Sequence, residues 1–215
     1  MAVMTRSALC HRIDAMREKY GIRGVFDPFA FAEERGIPIA YHAFAETRIR
    51  GILVRTEDHS GIILDPRLTP AQQRFTLAHE LVHLELHYGT AGSGAFHDSG
   101  GEYQADEGAA ELLMPYRDFI PRAASLRRRF LKDRTAALGL LASHYRLDLE
   151  TVRRRLVSLE HELALYRSGV PISEIEPLSR QRRQALRLHD RPFDRRPQPV
   201  SAARIDVWPD GPETD

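Results

Sequence analysis

The segment His79-Glu80-Leu81-Val82-His83 constrains this chain more than any other stretch. Residues four apart on a helix lie one above the other, with Cβ atoms about 5–6 Å apart. Two histidines so placed can each turn a ring nitrogen toward one ion, at the roughly 2.0–2.1 Å that zinc requires. Glu80 follows His79 directly and so stands about 100° round the helix. It can approach a reacting water without ligating the metal, which is where a general base belongs. The spacing reads as hydrolytic zinc chemistry.

The flanks make the segment a helix. Thr69 is placed as an N-cap, Pro70 takes the first helical position and Gln72 closes a capping box. Gly89 supplies a stop. Between them Phe75, Ala78, Leu81, Val82 and Leu86 form an apolar stripe beside the histidines. The helix is therefore expected to pack on a core while it turns polar groups to a common side.

A catalytic zinc site usually has three protein ligands and an open position. His87 extends the i, i+4 series, but a straight helix carries it about 12 Å along the axis from His79. It is assigned to packing, or to supporting a ligand from behind. The pattern that recruits a third histidine by breaking the helix needs Gly at position 86 and His at 89, where this chain has Leu86 and Gly89.

Glu102 is the better third ligand. It opens a second helical segment, reaching to Pro115, after a glycine-rich loop at 89–101. Asp106 follows one turn later, where it can accept a ligand histidine's other N–H and fix its tautomer. Ala105, Ala109 and Leu113 are small or apolar where two helices must approach. Glu107 and Glu111 share the segment and compete with Glu102; spacing alone does not separate them.

The run Arg74-Phe75-Thr76-Leu77-Ala78-His79-Glu80-Leu81-Val82-His83-Leu84-Glu85-Leu86-His87 resembles the ImmA/IrrE metallo-endopeptidases. So do the later Glu102-x-x-Ala105-Asp106 and Ala109-Ala110-Glu111-Leu112-Leu113-Met114-Pro115, and the upstream stretch from Asp27 to Ile37. The resemblance implies zinc ligands at His79, His83 and Glu102, with Glu80 catalytic. It further implies helix-turn-helix transcriptional repressors as substrates, cut to release genes controlled by stress or by a mobile element. Two positions depart from the family pattern. Val82 replaces the glycine usual between the histidines, and Gly108 replaces a usual phenylalanine.

At 215 residues and 42% hydrophobic content, the chain can bury one ordinary core and carry an appendage. The lone Cys10 cannot form an internal disulfide. His11, Arg12, Asp14 and Arg17 occupy the place where a signal peptide needs an apolar run, and no stretch approaches the roughly 18 apolar residues of a membrane span. The cytoplasm is the expected location.

A net charge of +1 gives the whole molecule no general attraction for nucleic acid, yet residues 117–167 hold twelve Lys/Arg against six Asp/Glu. Two arginine triplets, at 127–129 and 153–155, lie among them. Such runs are most often solvated helix faces.

The expected fold is α+β: a small zincin-like metallopeptidase domain (1–120) of helices with a short antiparallel sheet, then a helix-turn-helix-like helical module (121–167). A Pro/Arg-rich tail (168–215), expected to be disordered, follows; within it only 181–189 suits a helix. In the first domain, helices are expected at 7–20 and from Asp27-Pro28 to Gly36. Strands are expected at 37–41, 51–55 and 61–65, the last two as a hairpin. In the module, Ala142 sits at a helix crossing, Leu147 fills the turn, Asp148 caps the second helix, and Val152 and Leu156 face inward. Arg153, Arg154 and Arg155 would then touch DNA phosphates or an acidic partner surface; the alternative is a structural module that completes the protease.

The expected activity is zinc-dependent hydrolysis of a peptide bond, with Mn²⁺ as the alternative metal and a helix-turn-helix repressor as substrate. The rival is a regulator that uses the same zinc fold to hold DNA or a repressor without cutting. Contact with DNA through the basic module is expected to be weak, and no membrane association is expected.

Overall fold

The computed structural model describes residues 4–46, 49–55, 60–86, 99–178, 183, 185 and 186. The chain opens with α1 (Arg6–Lys19) and α2 (Pro28–Glu34), followed by β1 (Ile39–Tyr41), β2 (Gly51–Arg55) and β3 (Ser60–Leu64). Then come α3 (Pro70–Leu86), α4 (Ser99–Leu113), α5 (Tyr116–Ser125), α6 (Arg127–Lys132), α7 (Arg134–Tyr145), α8 (Leu149–Ser158) and α9 (Glu160–Arg167). The α+β class is as expected.

Local chemistry sets the helix starts. Asp27 accepts from Phe29 N and Pro28 begins α2. At α3 the capping box is complete: Gln72 N donates to Thr69 Oγ1 at 3.3 Å, and Thr69 N donates to Gln72 Oε1 at 3.0 Å. Asp148 caps α8 by accepting from Thr151 N at 2.7 Å. α4 starts at Ser99, three residues before the expected opening, so Glu102 lies in its first turn. The expected stop of α3 at Gly89 lies outside the described residues.

The hairpin is antiparallel as expected, pairing Gly51 with Leu64 and Arg55 with Ser60. β1 adds to the other side of β3 in parallel, Ile39 beside Ile62 and Tyr41 beside Leu64, which makes the sheet mixed, in the order β1-β3-β2. Central β3 buries Ile62 and Leu64.

Helix α3 packs against β2 and β3 and against α4, with α1 on α4. Its Leu77, Ala78, Leu81 and Val82 are fully buried with Leu9 and Ile13 of α1 and Ala105, Ala109 and Leu112 of α4. The same hydrophobic cluster continues past residue 120 through Phe130, Leu141, Val152, Leu156 and Leu163. No helix among the described residues is long and apolar enough to cross a membrane.

The segment after α9 departs from the expected disordered tail. Ile175 is buried, Glu176 accepts from Ser7, and Leu178 N donates to Glu162. Arg183 is buried as well, donating to the carbonyl oxygens of Val157 and Ser158. Ile172, packed on the core, together with buried Ile175 and Glu162, holds this stretch despite its prolines. The rest of the expected helix at 181–189, apart from Ala185 and Leu186, lies outside the described residues.

Candidate metal centre

Helix periodicity stacks His79 over His83 in the C-terminal half of α3, both buried. Their Nε2 atoms stand 3.0 Å apart. Glu102 closes the third side, with Oε1 3.3 Å from His83 Nε2 and Oε2 3.5 Å from His79 Nε2. Its side chain is 32% exposed, so the cluster opens to solvent on that side.

This donor set fits a metal ion. Ligand atoms about 2.05 Å from a tetrahedral zinc stand about 3.3 Å from one another, close to the three separations found. Two imidazole nitrogens and a carboxylate suit zinc, and manganese by its taste for carboxylate. Asp106, one turn after Glu102, places Oδ1 2.7 Å from His79 Nδ1. A proton held there leaves the Nε2 lone pair for the ion. Among the described residues, His79, His83 and Glu102 are the group of this kind.

Glu80 lies on α3 beside this group and is buried. A Cβ built on Gly51 at the start of β2 would stand 3.2 Å from Glu80 Oε1 and 2.6 Å from Thr76 Cγ2. The missing side chain of Gly51 therefore gives room to the Thr76 methyl and to the carboxylate beside it. Nothing in the sequence pattern marks that glycine apart from its place at the head of a strand.

Glu107 and Glu111 are engaged elsewhere. Arg6 Nε donates to Glu107 Oε2 at 2.8 Å, while its Nη1 donates to Ser158 O and its Nη2 to Ser158 Oγ. Burial opposes the charge of Arg6, but the fields of Glu107 and Glu162 outweigh it and its pKa is raised. Glu111 is paired with Arg155, and its Oε1 accepts from Tyr116 N at 3.1 Å. Both carboxylates are thus taken up by arginines, while Glu102 and Asp106 meet the histidines.

The expected row of Arg153, Arg154 and Arg155 is broken up. Arg155 is 0% exposed and also donates to Met114 O, so it holds α8 to the end of α4 and touches no outside partner. A signal was present: Arg155 falls three residues after Val152, on the inward stripe. Arg153 and Arg154 are half-buried and both pair with Glu150, at 2.8 and 2.9 Å. Tyr103 is buried. His87 lies outside the described residues.

A comparison of the sequence with curated proteins finds no match. Among solved structures, a "Mycobacterium tuberculosis transcriptional regulator" shares the fold, with a TM-score of 0.51 and 21% identity over 70% of this chain. The chain spans about half the length of that protein, covering 46% of it. The profile of Peptidase_M78, the IrrE N-terminal-like domain, matches residues 32–157, which contain α3, the first turn of α4 and every residue of the histidine–glutamate cluster, and the chain belongs to this family.

Proposed function

We propose that this chain is a zinc-dependent endopeptidase whose substrate is a helix-turn-helix transcriptional repressor in the cytoplasm. The convergence of His79, His83 and Glu102, with Glu80 next to it on the same helix, carries the reading. His79, His83 and Glu102 would hold the ion, which when bound supplies Lewis-acid polarisation of the scissile carbonyl. Glu80 takes a proton from the attacking water and returns it to the leaving amine. Asp106 keeps the ring of His79 in one tautomer and one orientation.

The test is incubation of the full chain with zinc and the helix-turn-helix repressor encoded nearest to it, read by mass spectrometry. Wild type should yield fragments. Glu80→Gln should bind zinc as wild type does and cut at least about 100-fold more slowly, while His79→Ala should lose both properties. Equal cutting by zinc-loaded Glu80→Gln would overturn the assignment of the base. Repressor binding by both proteins with no fragments would favour the non-proteolytic regulator.

A further inference from the structure

The fold treats the two arginine triplets oppositely. Arg153, Arg154 and Arg155 are answered within the molecule, by Glu150 and Glu111. Arg127, Arg128, Arg129 and, one turn on, Lys132 lie exposed along α6. No ion pair reaches any of these four among the described residues.

Arg128, Arg129 and Lys132 line a groove of about 530 Å³ together with Leu126, Asp133 and Ala136. Asp133 is the one carboxylate among the lining residues, and its Oδ1 already accepts from Ala136 N at 2.9 Å as the cap of α7. Arg127 extends the positive field to Arg167, whose pKa is lowered first by partial burial and then by that neighbouring charge. Like charges gathered in this way destabilise the compact state. The chain has thirty acidic residues, and Asp133 is the one that reaches the lining of this groove.

We propose that α6 and the groove beside it bind the phosphate backbone of a nucleic acid without sequence preference. Three of the four cations are arginines, whose planar fork pairs with phosphate oxygens two at a time. The six residues of α6 span about 9 Å, over which a duplex presents about five phosphate charges, a density that acidic peptides seldom match. The helix that would read bases in a helix-turn-helix is the second one. Here that helix is α8, and its arginines are tied to Glu150 and Glu111. The grip therefore comes without readout. None of these residues belongs to the metal centre, so the proposal stands apart from peptide hydrolysis.

The experiment is fluorescence anisotropy of the full chain with a 20-base-pair duplex DNA of arbitrary sequence, between 50 and 200 mM salt. Four phosphate contacts give a log–log slope of about −3.6, a fall in affinity of about 100-fold across that range. The Arg127→Gln, Arg128→Gln, Arg129→Gln triple variant should drop to a slope of about −1, while an Arg153→Gln, Arg154→Gln variant keeps the wild-type slope. Arg128→Gln alone should reduce the slope by about one, which keeps the test decisive if circular dichroism shows the triple variant misfolded. Absence of salt-dependent binding by wild type, or a folded triple variant with the wild-type slope, would overturn the proposal. So would tighter binding to polyglutamate of equal charge, which would assign the patch to an acidic peptide.

Discussion

Val82 occupies the space that Gly108 leaves open. A Cβ built on Gly108 would lie 2.8 Å from Val82 Cγ1 and 3.6 Å from Ile13 Cδ1. The family pattern has a small residue between the histidines and a large one at the α4 position; this chain has the reverse. The two departures are one exchange of volume across the α3–α4 contact.

Adding a methyl at Gly108 should therefore destabilise the protein by up to about 2 kcal/mol, because overpacking costs about 1–3 kcal/mol against the roughly 1 kcal/mol gained in helix propensity. In a Val82→Ala background the same Gly108→Ala change should stabilise. Urea denaturation of the four metal-free proteins gives the coupling. Stabilisation by Gly108→Ala in the wild-type background would sink the packing argument.

Arg155→Met should cost about 3–5 kcal/mol, since it strands the buried carboxylate of Glu111. Adding Glu111→Leu should recover much of that loss, because a buried ion pair and an apolar pair of similar size are often equivalent in stability. By contrast Arg153→Gln should cost less than about 1 kcal/mol, as is usual for partly exposed pairs. Equal losses at positions 153 and 155 in thermal or urea melts would contradict the placement of α8.

Much of the centre was legible in one dimension. The spacing of His79 and His83, the reciprocal cap at Thr69 and Gln72, and Asp106 one turn after Glu102 all act within a few residues of themselves. The choice among Glu102, Glu107 and Glu111 was not legible without the family resemblance. It depends on cations that pair from afar: Arg6 lies 101 residues from Glu107 and Arg155 lies 44 from Glu111. The parallel pairing of Ile39 with Ile62 escaped for the same reason. A hairpin announces itself locally, but a parallel neighbour is settled by how the chain returns. Arginine at a buried helix position reads as surface until its carboxylate is known.

Asp106→Asn should weaken zinc binding by about 10–100-fold while leaving a site that still loads at high metal. The amide can rotate to accept from His79 Nδ1, but it lacks the charge that makes the ring more basic. Competition against a chelating dye measures the shift. An unchanged affinity would mean that the 2.7 Å contact to His79 has no bearing on the ion.

Stability should decline at alkaline pH through Cys10. Burial pushes its thiol well above the usual range, and the field of Glu111 pushes the same way. A raised pKa means the folded chain holds the proton more tightly than the unfolded one. Its contribution is whole below the unfolded thiol's pKa, about 8.5, and is lost as pH rises through the folded value. Tyr116, pushed up to about 12 chiefly by burial, joins only above the ordinary tyrosine pKa of about 10. Melting temperature should thus fall from about pH 8.5 to 10, and less steeply in Cys10→Ala. Parallel slopes for the two proteins would count against this account.

Gly51 heads an outer strand of the sheet, and the Thr76 methyl and the Glu80 carboxylate close on the space its side chain would have filled. Sheet and acid therefore share one bearing surface. A shift of β2 along or across its neighbour therefore bears on α3 at Thr76 and Glu80 together. Under the proposed peptidase reading, a ligand that tightened that strand would also set the reach of the acid, so that grip and chemistry would be adjusted by the same small movement.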